Sequence, residues 1–153
     1  MIRSILLTAL LTTGAFAADP SYLGTYKIVS AQVGPWWDGA GKPDLTESKE
    51  LIGKVVTFKT TEIVGPRQFA CKGPKYKVRP TDPAVMLFQG AFEEMQSKNK
   101  SVDPLAVAHK VGFTGSSWKT VETNCGYALE LHFLDSTTAD FALNNMIYTM
   151  KKE

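Results

Sequence analysis

Polar and apolar residues alternate with a period of two along most of this chain, and only its middle third switches to helical spacing. Tyr22 to Val33 reads as a strand, with Tyr26, Ile28 and Ser30 alternating against Lys27, Val29 and Ala31, and Gly34-Pro35 ends it. Asp44 and Glu47 have capping-box spacing, so a short helix is expected from Leu45 to Ile52, closed by Gly53 in a left-handed conformation. Lys54 to Thr60 and Ile63-Val64 form a hairpin, with Val56 and Phe58 on one face. Gly65-Pro66 breaks it, and Phe69 to Cys71 and Tyr76 to Arg79 are strand fragments around Lys72-Gly73-Pro74.

Asp82-Pro83 carries a helix-start signal, with Ala84, Phe88, Ala91, Phe92 and Met95 recurring at helical spacing after it. Val85 to Phe88 also fits a short buried strand. Asp103-Pro104 repeats the start signal for a helix over 104–111, with Gly112 as its stop. Ser117 to Cys125, Tyr127 to Leu134, Thr138 to Leu143 and Met146 to Lys151 then read as a meander of strands. Asp135-Ser136-Thr137 and Asn144-Asn145 supply its later turns. Seven or eight strands and two or three short helices predict a mainly β fold: a small antiparallel β-barrel or a sandwich. In a barrel the last strand pairs with the first, which removes exposed edges.

The N-terminus changes the picture of where this domain works. Arg3 precedes the apolar run Ile5 to Leu11, and Ala15-Phe16-Ala17 follows with small residues at the cleavage positions. That order is expected of a secretory signal peptide over residues 1–17, leaving 18–153 as a single β-rich domain. The run is far shorter than the roughly 20 residues a membrane span needs, so a periplasmic or secreted protein without stable membrane insertion is expected. Lys and Arg total 17 against 15 Asp and Glu, a balance that gives no argument for nucleic acid. The only two cysteines, Cys71 and Cys125, are expected to form a disulfide, because an exported chain meets an oxidising compartment. A metal site drawn from Cys71, Cys125, His109 and His132 is the competing reading, but no pair has the short spacing of a zinc motif.

Two stretches resemble known families. Gly24-Thr25-Tyr26 resembles the Gly-x-Trp element that opens the lipocalin barrel, with Tyr in place of Trp. Cys125 to Phe133, with Ile147-Tyr148-Thr149-Met150-Lys151-Lys152, is similar in pattern to small periplasmic barrels that inhibit lysozyme. Those proteins also carry a cysteine before a strand hairpin and end in a Tyr-Thr-apolar-Lys strand. The resemblance implies a lipocalin-like barrel. It carries over no inhibitory residue, since the family's inhibitory loop has no counterpart here, and this chain's segment from Asp82 to Gly115 has none in the family pattern.

Catalytic constellations are missing from the sequence. There is no Gly-x-Ser-x-Gly, P-loop or Gly-x-Gly-x-x-Gly pattern, and the two histidines read as ordinary polar or half-buried residues. Glu122 and Glu130 are placed to meet across a hairpin, where solvated carboxylates are the expected state. Two features carry a binding reading instead. The segment from Arg67 to Arg79 holds Arg67, Lys72, Lys75, Lys77 and Arg79 with no acidic residue, and Gly73-Pro74 stiffens its turn. Such a cationic tip suits an acidic cleft or an anionic ligand; the competing reading is a solvated strand face with protective lysines. Trp36-Trp37 lies in a Gly/Pro-rich loop and offers either an anchor or a lid. The expected function is an exported, non-enzymatic binding protein of the inhibitor or immunity type. It would act on a cell-envelope enzyme through Lys72, Gly73, Pro74, Lys75, Lys77 and Arg79, aided by Trp36 and Trp37, without metal or cofactor. The alternative is a lipocalin-like carrier of a small apolar ligand in the barrel interior.

Overall fold

The computed structural model describes residues 20–40, 43, 45–126 and 129–153. The signal-peptide reading of residues 1–17, the Asp44 cap, and Tyr127 as the start of a strand fall outside them. The strands are β1 (Gly24–Val33), β2 (Val55–Phe58), β3 (Glu62–Val64), β4 (Cys71–Lys72), β5 (Tyr76–Pro83), β6 (Ser117–Thr123), β7 (Glu130–Phe133), β8 (Thr138–Leu143) and β9 (Met146–Lys152). Three helices accompany them: α1 (Thr46–Leu51), α2 (Ala91–Lys98) and α3 (Pro104–Lys110). All strands join one antiparallel sheet in the order β4-β3-β2-β1-β9-β8-β7-β6-β5.

β4 and β5 are neighbours in sequence but lie at opposite edges of that order. Only Gly73-Pro74-Lys75 separates them, and the four Cα steps from Lys72 to Tyr76 reach at most about 14 Å. The sheet must therefore curl until its edges approach, forming a half-barrel rather than a sandwich. The Cys71–Cys125 disulfide crosses the same seam, with Cα atoms 5.9 Å apart. The Tyr76 hydroxyl donates across it to the carbonyl of Lys59 at 2.8 Å. First and last strands do pair, β1 with β9, but in the middle of the sheet and not at its seam.

The inner face is filled. Tyr26, Ile28, Val56, Phe58, Ile63, Val121, Leu131, Phe141, Tyr148 and Met150 are all buried there, joined by Phe69 from the loop before β4. None is more than 4% exposed. α1 brings Leu51 into the same core, and Gly53 at φ +87 ends that helix turn as expected. One shift in β1 departs from simple alternation. A bulge between Ile28 and Ser30 turns Ala31, not Ser30, towards the core.

The second core lies on the outer face. The segment from Ala84 to Phe113 packs Leu87, Phe88, Phe92, Ala108, Val111 and Phe113 onto Trp118 and Ile147 of the sheet. Both faces of β6 to β9 are thus covered. The expected helix start at Asp82-Pro83 is corrected here: both residues end β5, and Asp82 pairs in register with Trp118. Its carboxylate accepts from Arg79 Nε at 2.8 Å, so it is not free to cap a helix. A single 3-10 turn follows, and α2 begins only after Gly90. Asp103 behaves as read, its Oδ1 accepting from the Leu105 N–H at 2.9 Å to cap α3.

Candidate functional site

Sheet register lines up one polar row on the outer face. Arg79 is opposite Thr120, Thr120 opposite His132, His132 opposite Asp140, and Asp140 opposite Thr149. Directly paired residues point to the same face, so five successive strands, β5 to β9, contribute to it. Beside it runs a shorter row, Lys77 opposite Glu122 opposite Glu130.

Arg79 ties the two rows together. Its Nε meets Asp82 at 2.8 Å, its Nη1 meets Glu122 at 2.7 Å, and its Nη2 meets Glu130 at 3.0 Å. Burial pulls its pKa down, but the bonds to Asp82 and Glu130 outweigh this and leave it raised. Arg79 therefore stands inside an ion cluster and adds no free charge to a tip. Glu122 and Glu130, expected to be solvated, are held by it.

His132 is fully buried, and its protonation follows from its partners. The Phe88 N–H donates to Nε2 at 2.9 Å, so Nε2 carries the lone pair. Nδ1 then carries the proton and faces Thr120 Oγ1 at 2.9 Å. Burial drives its pKa down to about 3, Asp82 opposes that, and Arg79 adds to it. The Gln89 N–H donates to Glu130 Oε2 at 3.1 Å. Phe88 and Gln89 take left-handed φ values of 53° and 59°. Such strain costs on the order of 1–3 kcal/mol per residue, and the two sheet acceptors hold it in place. Asp140 is buried, with Oδ1 unpartnered. Burial raises its pKa to about 6, while a bond with Thr149 works the other way. With His132 committed on both nitrogens, the row holds the strained turn in place.

The seam presents a different chemistry. Gly73 takes φ +63, and its N–H donates to Thr61 O at 2.9 Å. Pro74 is buried. The Lys75 N–H donates to Asn124 Oδ1 at 2.7 Å, and the Asn124 N–H returns a bond to Lys75 O at 3.3 Å. With Cys71 bonded to Cys125, the turn Lys72-Gly73-Pro74-Lys75 is pinned from both sides. Lys72 and Lys59 share one carboxylate, that of Glu62. Those contacts, Lys72 first and then Lys59, lower the Glu62 pKa. Lys75 is exposed, and Lys77 is 3.8 Å from a Glu122 oxygen that Arg79 already holds. Four lysines thus meet one uncommitted carboxylate at the tip. Arg67 is also exposed.

Trp36 and Trp37 lie away from this tip. The Trp36 ring packs on Phe88 at 5.5 Å and Phe92 at 6.2 Å, as a cover over the second core. Trp37 is half-buried beside it. His109 is exposed, with Nε2 2.8 Å from Gly115 O, far from any shared site with His132 or the bonded cysteines. Among the described residues no cluster of His, Cys, Asp and Glu gathers as a metal site. No helix among them is long and apolar enough to cross a membrane. No family model, curated protein or solved structure matches the chain.

Sequence reading missed two partners of its own candidates. Glu62 sits ten residues before Lys72 and meets it only because β3 pairs with β4. Glu122 and Glu130 are recognisable as a hairpin pair, but Arg79 reaches them from β5, and a bulge after Arg79 sets Asp82 opposite Trp118, where it joins them.

Proposed function

We propose that this protein is an exported, non-enzymatic binding protein of the inhibitor or immunity type. Its binding element is the turn Lys72-Gly73-Pro74-Lys75, and its target is a cell-envelope enzyme with an acidic cleft. One observation carries the reading: the turn is immobilised at the seam while its lysines outnumber the carboxylates near them. A rigid projection loses little conformational freedom on docking, so more of its contact energy appears as affinity. Surplus positive charge steers it towards carboxylates and speeds encounter. Arg79 and Trp36 are left out of the binding element because each is engaged within the fold, and Trp37 because it lies beside Trp36, away from the turn. The carrier reading has no support from the filled inner face.

Charge reversal tests this. The K72E/K75E variant should fail to retain, from a periplasmic extract, the protein that the wild type retains. Equal retention by both would remove the tip from the account.

A further inference from the structure

A groove opens between α2, the Trp36 loop and the β8–β9 turn, far along the sheet from the seam. Its volume is about 430 Å³, and its walls include Trp36, Gln89, Ala142, Asn144 and Asn145. That lies within the roughly 300–1,000 Å³ usual for small-molecule sites. Two neighbouring grooves of about 300 and 440 Å³ also end at Asn144. The turn between β8 and β9 is therefore the meeting point of one branched depression.

Polar groups in this groove remain open. The Trp36 indole N–H and the Asn145 side-chain amide have no hydrogen-bond partner among the described residues. Asn144 spends one amide hydrogen on Glu47 Oε2 at 2.9 Å. Formal charge in the groove cancels, because Lys98 pairs with Glu94 at 2.6 Å. Phe88, Ala91 and Ala142 add apolar surface, and the strained Phe88-Gln89 turn forms one wall. Left-handed non-glycine backbone persists where the surroundings fix it, and it recurs at ligand clamps.

We propose that this groove binds a neutral saccharide. Its open groups include donors and acceptors together, and a sugar hydroxyl both donates and accepts. Planar amides suit adjacent hydroxyls, and the apolar patches suit the C–H faces of a pyranose ring. The cancelled charge disfavours anionic ligands. An oligosaccharide of the cell envelope is the natural occupant for an exported chain, but the groove argument stands without the cationic tip.

The test is titration of isotopically labelled protein with chitotriose and, separately, maltotriose, followed through the Trp36 indole and Asn145 amide resonances. Saturable shifts with either sugar are expected, with dissociation constants of about 1 mM or tighter. Trp36→Phe removes the N–H but keeps a packing ring, and Asn145→Ala removes the amide from an exposed turn. Each should weaken binding by about tenfold or more, while K72E/K75E leaves it unchanged. Unshifted resonances with both sugars would overturn the proposal. So would shifts undiminished in both variants whose spectra show the native fold, or saturation only by an uncharged peptide.

Discussion

His132 is the residue on which the outer face depends. It sits between a sheet hydroxyl and the backbone of a strained turn, with each ring nitrogen engaged. Replacing it with alanine leaves the buried Phe88 N–H without an acceptor and opens a cavity beside Phe88 and Phe113. The loss should be about 2–4 kcal/mol in urea denaturation, the sum of an unmet donor and lost packing. A cost below about 0.5 kcal/mol, the usual range for surface substitutions, would show that the turn does not rely on this contact. Strand alternation from Tyr127 to Leu134 puts His132 on the face opposite Leu131 and Phe133. It did not reveal burial, because the segment that covers this face is forty-four positions away from its acceptor. Arg79 was misread for the same reason: its three carboxylates come from β5, β6 and β7.

At the scale of elements, alternation was a reliable guide wherever strands pair with sequence neighbours. The β6–β9 meander, the β2–β3 hairpin and α3 with its Asp103 cap were all legible. Local signals failed at Asp82-Pro83, where tertiary bonding to Arg79 overrode a helix start. The seam was legible only in part. The disulfide followed from two cysteines, but the approach of β4 to β5 follows from sheet order, which no local pattern encodes. That order makes the disulfide important, because the described strand pairings include none between β4 and β5. It closes a loop of sequence separation 54, worth about 4 kcal/mol in the chain-entropy model. A C71S/C125S variant should lose stability on that scale and exchange amide hydrogens faster at Cys71–Lys72 and Tyr76 than in β8–β9. Uniformly faster exchange across the whole sheet would mean that the bond stabilises without holding a seam.

For the whole molecule, two buried groups set opposed pH dependences. His132 has its folded pKa lowered from 6.5 to about 3, so the unfolded chain takes up the proton first. Its contribution is complete above pH 6.5 and is lost as pH falls towards 3. Asp140 has its folded pKa raised from 3.8 to about 6, so the folded chain holds the proton longer. Its contribution is complete below pH 3.8 and is lost as pH rises through 6. The two partly cancel between those values. Asp140→Asn keeps the shape without the ionisation, so its stability relative to wild type should improve by about 3 kcal/mol between about pH 4 and about pH 8. A difference that stays flat with pH, read from denaturation midpoints, would mean that Asp140 ionises without penalty.

The central claim concerns the clasped cationic turn. Its most direct measurement is the rate at which lysozyme clears a bacterial cell-wall suspension, with added wild-type protein or the K72E/K75E variant. Lysozyme supplies an acidic catalytic cleft of the kind the proposed turn would enter. Wild type should slow clearing in a dose-dependent way, more strongly at low salt than at high salt, and the variant should have lost at least about tenfold in potency. Equal inhibition by wild type and variant, or no inhibition by either at equimolar protein and low salt, would contradict the account.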